Sequence, residues 1–105
     1  MADKIKLNKI YKKDFKTVFD TIKKVVESNY NVIDINEDLG IIEARGDLLA
    51  IPNLMAYLIT VRKINEDFTE VLIEGKSRKK IAVDTLKARE NNVDRLFRKI
   101  DKELS

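Results

Sequence analysis

The clearest hydrophobic pattern in the chain lies over residues 56–75, AYLITVRKINEDFTEVLIEG. Apolar residues take every second position over 57–61 and again over 71–73, with a polar turn between the two runs. A period of two with many β-branched residues predicts two half-buried antiparallel strands. Asn65, Glu66 and Asp67 suit the turn, because such side chains bond locally to the backbone. We expect the other segments to pair with this hairpin or pack on it.

A helical period precedes this hairpin. Asp14 stands where an N-cap is expected, and apolar residues then recur at the i, i+3, i+4 and i+7 spacing of one helix face. These residues are Phe15, Val18, Phe19, Ile22, Val25 and Val26. We expect Ser28 and Asn29 to end the helix, since Asn tolerates the left-handed conformation that closes helices.

The same period returns near the end of the chain, in Val93, Leu96, Phe97, Ile100 and Leu104. It predicts a second helix from Asn92 onward, with Asn91 or Asn92 as its cap. An earlier start near Asp84 is the alternative, because residues 86–93 keep the helical period only loosely.

Three shorter segments complete the element order. Residues 4–11 place Ile5 and Leu7 on one face with lysines between them, which is typical of a guarded edge strand. Residues 30–36 and 41–45 predict a second hairpin, closed by a loop in which Gly40 can adopt positive φ.

The order is therefore β-α-β-β-β-β-α in one domain, 1–105. An α+β two-layer sandwich is the economical solution, with an antiparallel sheet and two helices packed on one face. The other face of the sheet, which we expect to carry Lys63, Glu70, Glu74 and Lys76, would meet solvent or a partner.

The segment 47–55, DLLAIPNLM, is apolar where a polar turn is expected, and it contains the only proline. Two interpretations remain open. It is a crossover loop folded over the core, or it is an exposed apolar surface for a partner or lipid. In the second case the contact residues are Leu48, Leu49, Ile51, Leu54 and Met55.

Composition limits the chemistry. The 105 residues include no Cys and no His, which excludes disulfides and removes the usual general base and the commonest metal ligand. The N-terminus shows no signal peptide and no apolar run reaches the roughly 20 residues that span a bilayer. We therefore expect a cytoplasmic protein, unless a leader has been removed.

No constellation predicts an enzyme, a metal site or a cofactor. The acidic pairs 37–38 and 66–67 lie in turns, where acidic residues are good turn formers and stay solvated. Residues 34–38 lack the glycine and the final Glu of a calcium loop. The three glycines are isolated. No His is present to activate a serine nucleophile, so Ser77 with Lys79 or Lys80 is only a formal possibility for nucleophilic catalysis.

The best candidate for ligand binding is a basic run whose net positive charge could bind phosphates. Its residues are Lys76, Arg78, Lys79 and Lys80, joined by Lys12, Lys13 and Lys16 near the first helix. A solvated surface is the alternative. Single-strand binders also use exposed aromatic residues, and only Tyr11 and Tyr30 remain for that role.

From Thr69 onward, TEVLIEGKSRKK…D…NNVDRL resembles a family of small bacterial α+β domains of unknown function. The family's signature before its last helix is matched by Ser77-Arg78, Asp84, and Asn91 or Asn92. The family's glycine between the Asp and the Asn is missing here, and that spacing is longer. The chain also shares its element order with a group of small lipoprotein domains, but lacks their lipid-bearing cysteine. The resemblance implies the fold and no activity.

Together these observations predict a non-catalytic interaction or self-association module that uses the exposed sheet face or the 47–55 segment. A nucleic-acid or anionic-surface binder acting through residues 76–80 is the alternative.

Overall fold

The computed structural model describes residues 4–47, 55–77 and 85–104. The elements in chain order are β1 (Lys4–Tyr11), α1 (Phe15–Asn29), β2 (Tyr30–Asn36), β3 (Ile41–Asp47), β4 (Met55–Lys63), β5 (Thr69–Ser77) and α2 (Thr85–Leu104). The strands form one sheet in the order β1-β5-β4-β3-β2, and every neighbouring pair is antiparallel. The predicted α+β sandwich is confirmed, with both helices packed against one face.

The register of the sheet aligns one apolar residue from each strand in a single row beneath the helices. The row runs Leu7, Ile73, Ile59, Ile42, Ile35 from β1 to β2. The helices cover it with fully buried side chains, Phe19 and Ile22 from α1 and Leu96 and Ile100 from α2. Because each such side chain stabilises the fold by about 1.5–3 kcal/mol when fully buried, this layer holds the domain together.

Helix α1 begins as its sequence predicts and ends differently. The Asp14 side chain accepts a hydrogen bond from the Thr17 backbone N–H at 3.1 Å, which confirms the N-cap. At the other end the expected left-handed residue is absent. Tyr30 is extended, with φ −136° and ψ 167°, and its N–H donates to the Val26 carbonyl. The helix passes directly into β2 because the Asn29 side chain is used instead to donate to the Val25 carbonyl at 2.8 Å.

Helix α2 begins at Thr85, which confirms the alternative of an earlier start near Asp84, and the prediction that Asn91 or Asn92 caps it is wrong. Both asparagines lie within the helix. The clear apolar stripe that made the helix visible in the sequence starts at Val93. Residues 85–92 carry little of that stripe, so periodicity alone could not show that they continue the helix.

A polar contact fastens α2 to the edge strand β1. The Tyr11 hydroxyl donates to Asp101 Oδ1 at 2.6 Å, and Lys9 forms an ion pair with the same carboxylate. The Lys9 Nζ also lies 5.9 Å from the centroid of the Phe97 ring. Lys9 therefore points towards the helix layer from an edge strand, an arrangement that discourages another strand from pairing there.

Both predicted turns form with the expected chemistry. Gly40 adopts φ +68°, and its carbonyl accepts a hydrogen bond from the Val61 N–H at 2.7 Å. The Asn65 side chain accepts from the backbone N–H groups of Asp67 and Phe68 at 2.8 and 2.9 Å. These turns fix the ends of two hairpins and lie at the same end of the sheet.

Candidate functional site: the open face of the sheet

The face of the sheet opposite the helices is uncovered by any described element. Side chains alternate along each strand, so the neighbours of the buried row point to this open face. From β1 to β2, one line across it is Lys6, Glu74, Leu58, Glu43 and Asp34. The next line, towards the two hairpin turns, is Asn8, Leu72, Thr60, Ile41 and Asn36.

Exposed apolar side chains concentrate on this open face. Six large apolar residues are exposed among those described, and two of them, Ile10 at 59% and Leu58 at 37%, project from strands of the open face. Continuing the alternation one residue past β4 and β5 places Ile64 and Phe68 there too, at 47% and 37% exposure. The Ile64 N–H donates to the Phe68 carbonyl at 3.0 Å, which keeps the two residues opposite each other. Of the remaining two, Ile33 follows the helix-side residue Val32 and faces the open side from the bulge in β2, and Leu39 lies in the β2–β3 turn.

The apolar residues form two groups. Leu58 stands among charged residues near the middle of the sheet. The second group, Ile10, Ile64 and Phe68, lies at the turn end, and we call it the turn-end cluster. Ile10 is paired with Glu70, and Phe68 is two residues from Glu70 on the same side of β5. Diagonal neighbours of this kind lie about 7–8 Å apart, so their side chains form a continuous patch.

A hydrogen-bonded ion pair lies beside the turn-end cluster. Glu70 accepts from the Asn8 side chain at 3.0 Å and forms an ion pair with Arg62, which links β1, β5 and β4 across the open face. The Asn8 amide, and secondly Arg62, hold the pKa of the Glu70 carboxyl below its usual value. The charges at this end of the face therefore already have partners within the chain.

Charge on the open face is balanced. Among residues whose side chains the structure describes, its basic residues are Lys6, Arg45, Arg62 and Lys76, and its acidic residues are Asp34, Glu43, Glu70 and Glu74. Along β3 and along β5, an acidic residue and a basic residue are two positions apart, at the end remote from the turns. A phosphate backbone would meet four carboxylates on this face, which disfavours nucleic acid as its partner.

Both edges of the sheet are unsuited to pairing with another strand. On β1, Lys9 points inward and Lys6 outward. On β2, a register shift between Val32 and Asp34 forms a bulge at Ile33. Inward charges and bulges are the devices by which sheets avoid edge-to-edge association. Contact with another protein is therefore better served by the face than by the edges.

The predicted basic patch is not assembled from the described lysines. Lys76 is exposed and paired with Lys4, whereas Lys12 and Lys13 follow Tyr11 at the opposite end of β1. Seven residues of strand, about 24 Å, separate these positions. Lys16 is occupied by Asp20 at 3.3 Å and by Glu37 at 3.8 Å. Arg78, Lys79 and Lys80 lie outside the described residues.

The predicted partner segment is also largely outside the described residues. Met55 begins β4, and Leu48, Leu49, Ile51 and Leu54 are not described. The aromatic residues considered for base stacking have other roles. Tyr11 is bonded to Asp101, and Tyr30 is buried against Tyr57 with ring centroids 5.3 Å apart. Neither offers a free ring for stacking.

One assignment to the open face is wrong. Lys63 is paired with Thr69, which is buried on the helix side, so Lys63 shares that side and Arg62 takes its place on the open face. The prediction was displaced by one residue, since Arg62 and Lys63 are adjacent basic residues. The apolar residues of the turn-end cluster were missed altogether. Their signal in the sequence was Ile10, which is out of phase with Ile5 and Leu7 on the same strand.

One cleft in the described structure offers no chemistry of its own. It has a volume of about 530 Å³ and lies between the start of α1 and the two turns, with Phe15 and Val61 in its lining. Its lysines are paired, Lys16 as above and Lys63 with Glu66 at 3.5 Å. Within the described residues no group of three or more His, Cys, Asp or Glu side chains is arranged to hold a metal ion. The helices of the described regions include none with the length and apolar content to cross a membrane.

Comparison with models of known protein families, with curated proteins and with solved structures found no match to this chain. The resemblance to small bacterial domains of unknown function therefore stays a prediction.

Proposed function

We propose that this chain is a self-association module that binds a second copy of itself through the open face of its sheet. The observation that carries the proposal is the placement of Ile10, Leu58, Ile64 and Phe68, four of the six exposed large apolar residues, on that one face. Exposed apolar side chains gathered on one surface are typical of protein contacts, because burying them releases their hydration water.

The charge of the open face supports a second copy as the occupant. Four basic and four acidic side chains leave it without net charge, so two such faces approach without overall repulsion. Glu74 and Lys76 on β5, like Glu43 and Arg45 on β3, give each copy both signs close together.

The size of the open face fits an interface between two copies. Five strands about 4.8 Å apart and 7–9 residues long give a projected area of about 600 Å². A standard interface buries about 800 Å² of accessible surface on each partner. Two flat sheets can therefore reach that range by stacking face to face, in the manner of a β-sandwich.

The experiment measures oligomeric state by sedimentation equilibrium over a concentration series. We expect the wild-type chain to form dimers. The double variant Ile10→Lys, Leu58→Lys should be monomeric at the same concentrations, because the charge introduced at Ile10 must lose its water at the interface. The monomer should tolerate these lysines, since Glu70 is paired with Ile10, and Glu43 and Glu74 are paired with Leu58.

The matched control is the double variant Ser28→Lys, Leu39→Lys. It adds the same charge at two exposed positions that lie off the open face, Ser28 on α1 and Leu39 in the β2–β3 turn. We expect it to dimerise as the wild type does. A wild-type chain that stays monomeric at millimolar concentration contradicts the proposal, and so does equal dissociation of the two double variants with their circular dichroism spectra unchanged.

A further inference from the structure

Within the proposed self-association, on which this inference rests, we infer that the two copies overlap at the turn end of the open face. Each copy contributes its turn-end cluster, Ile10, Ile64 and Phe68, and the strands of the two copies run outward from that contact in opposite directions. The charged end of each face then stays in water.

The distribution of exposed apolar surface is the first argument. Ile10, Ile64 and Phe68 are 59%, 47% and 37% exposed and lie side by side. Away from the turn end the large exposed apolar residues are further apart: Leu58, flanked by Glu43 and Glu74 near the middle of the face, and Ile33 at the β2 bulge. More water is released per unit of contact area at the turn end.

The cost of burying charge is the second argument. At the turn end the charged groups on the strands are Glu70 and Arg62, which already bind each other, with Asn8 as a further partner of the carboxylate. At the charged end, a contact would cover the exposed side chains of Lys6, Glu43 and Lys76. Desolvating a paired, hydrogen-bonded carboxylate costs less than desolvating solvated charges, so contact at the turn end is favoured.

A shallow depression beside the turn-end cluster supplies complementary shape. It lies on the open face, has a volume of about 210 Å³ and is lined by Thr60, Arg62, Glu70 and Leu72. An apolar side chain of the second copy can enter it, since Leu72 and Thr60 form its apolar side next to the Arg62–Glu70 ion pair. Two copies related by a two-fold axis make this contact twice, because each copy inserts a side chain into the depression of the other.

Two single variants separate the ends of the face in a dimerisation assay. Ile10→Lys should weaken the dimer by at least about 30-fold in Kd, the effect typical of a central interface residue. Leu58→Lys should change the dimer's Kd by less than about 3-fold, because a rim charge in water contributes little. The reverse order of the two effects would overturn the turn-end overlap.

A distance measurement tests the orientation of the copies directly. The chain contains no cysteine, so Lys76→Cys and Lys63→Cys each provide one site for a nitroxide spin label. Lys76 lies six residues from Glu70 on β5, about 20 Å, so two copies overlapping at the turn end place their labels at Lys76 about 40 Å apart or more. Labels at Lys63 should lie within about 25 Å of each other, given sheets stacked about 10 Å apart.

The outcomes of the label experiment are distinguishable. A dimer whose Lys76 labels lie within about 20 Å has its copies aligned along the full strands or overlapped at the charged end. That result overturns the turn-end overlap and leaves self-association standing. A chain that never dimerises removes both proposals. Long Lys76 distances together with short Lys63 distances support the turn-end overlap.

Discussion

Gly40 is the position where one added methyl group should do the most damage to the fold. It links the β2–β3 turn to β4, since its carbonyl accepts the Val61 N–H at 2.7 Å. It adopts φ +68°, and a Cβ atom built there would lie 2.2 Å from the Val61 carbonyl oxygen. Backbone atoms cannot yield as a flexible side chain can. Gly40→Ala must therefore move the turn away from β4.

The expected loss has two parts. A left-handed conformation costs an L-residue about 1–2 kcal/mol relative to glycine. Displacing the turn also breaks the hydrogen bond to Val61, a net loss of about 0.5–1.5 kcal/mol. The free energy of unfolding should fall by about 1.5–3.5 kcal/mol, which for a domain of this size lowers Tm by about 6–28 °C. Thermal and urea unfolding followed by circular dichroism measure both quantities.

Two further variants separate conformational strain from the steric clash. Gly40→Asn reduces the conformational strain and keeps the steric clash, because Asn enters the left-handed region more readily than Ala does. Since its Cβ meets the same Val61 oxygen, we expect Gly40→Asn to be almost as unstable as Gly40→Ala. Asp38→Ala, in the same exposed turn, should change stability by less than about 0.5 kcal/mol. A Gly40→Ala protein as stable as the wild type would refute the reasoning.

Three other predictions concern the helix layer and its contacts. Tyr11→Phe should lower stability by about 1–2 kcal/mol by removing the hydrogen bond to Asp101. Burial, and then Asp101, raise the pKa of the Tyr11 phenol, so wild-type stability should also decline above pH about 10. The variant should lack this decline in pH-dependent urea titrations. Asp14→Ala should lower Tm by removing the N-cap. Because the cap's hydrogen bonds hold the pKa of Asp14 below its usual value, the greater stability of the wild type should disappear as the pH falls below about 4. A difference in Tm that persists at pH 2 would contradict this. Ile59→Ala, at a fully buried site, should cost about 2–5 kcal/mol in urea unfolding, whereas Thr60→Ala on the open face should cost less than about 1 kcal/mol.

The elements of the fold could be predicted from the sequence because each has a strong local signal. The alternation over 57–61 survives into the structure as a strand with Tyr57, Ile59 and Val61 buried. Asp14 caps α1 because its position, before an apolar helical stripe, allows few other roles. Local patterns indicate which face of an element is buried. Two helices and five strands, each with one apolar face, can pack together in only a few ways.

The details that failed depend on contacts between elements. The first half of α2 carries no clear stripe, so its start at Thr85 could not be predicted from periodicity. The separation of Lys76 from Lys12 and Lys13 is a consequence of the β1–β5 register, which no single segment specifies. The grouping of Ile10, Ile64 and Phe68 likewise depends on the strand order, because Ile10 lies in β1 and the other two residues flank the distant β4–β5 turn.

The most direct test of self-association through the open face is a dilution series followed by methyl NMR of Ile and Leu side chains. On dilution from millimolar to micromolar concentration, we expect the methyl resonances of Ile10, Leu72 and Ile64 to shift. Those of Leu39, which is exposed in the β2–β3 turn off the open face, should stay in place. Resonances that all remain unchanged, or that shift only at Leu39, would contradict the account.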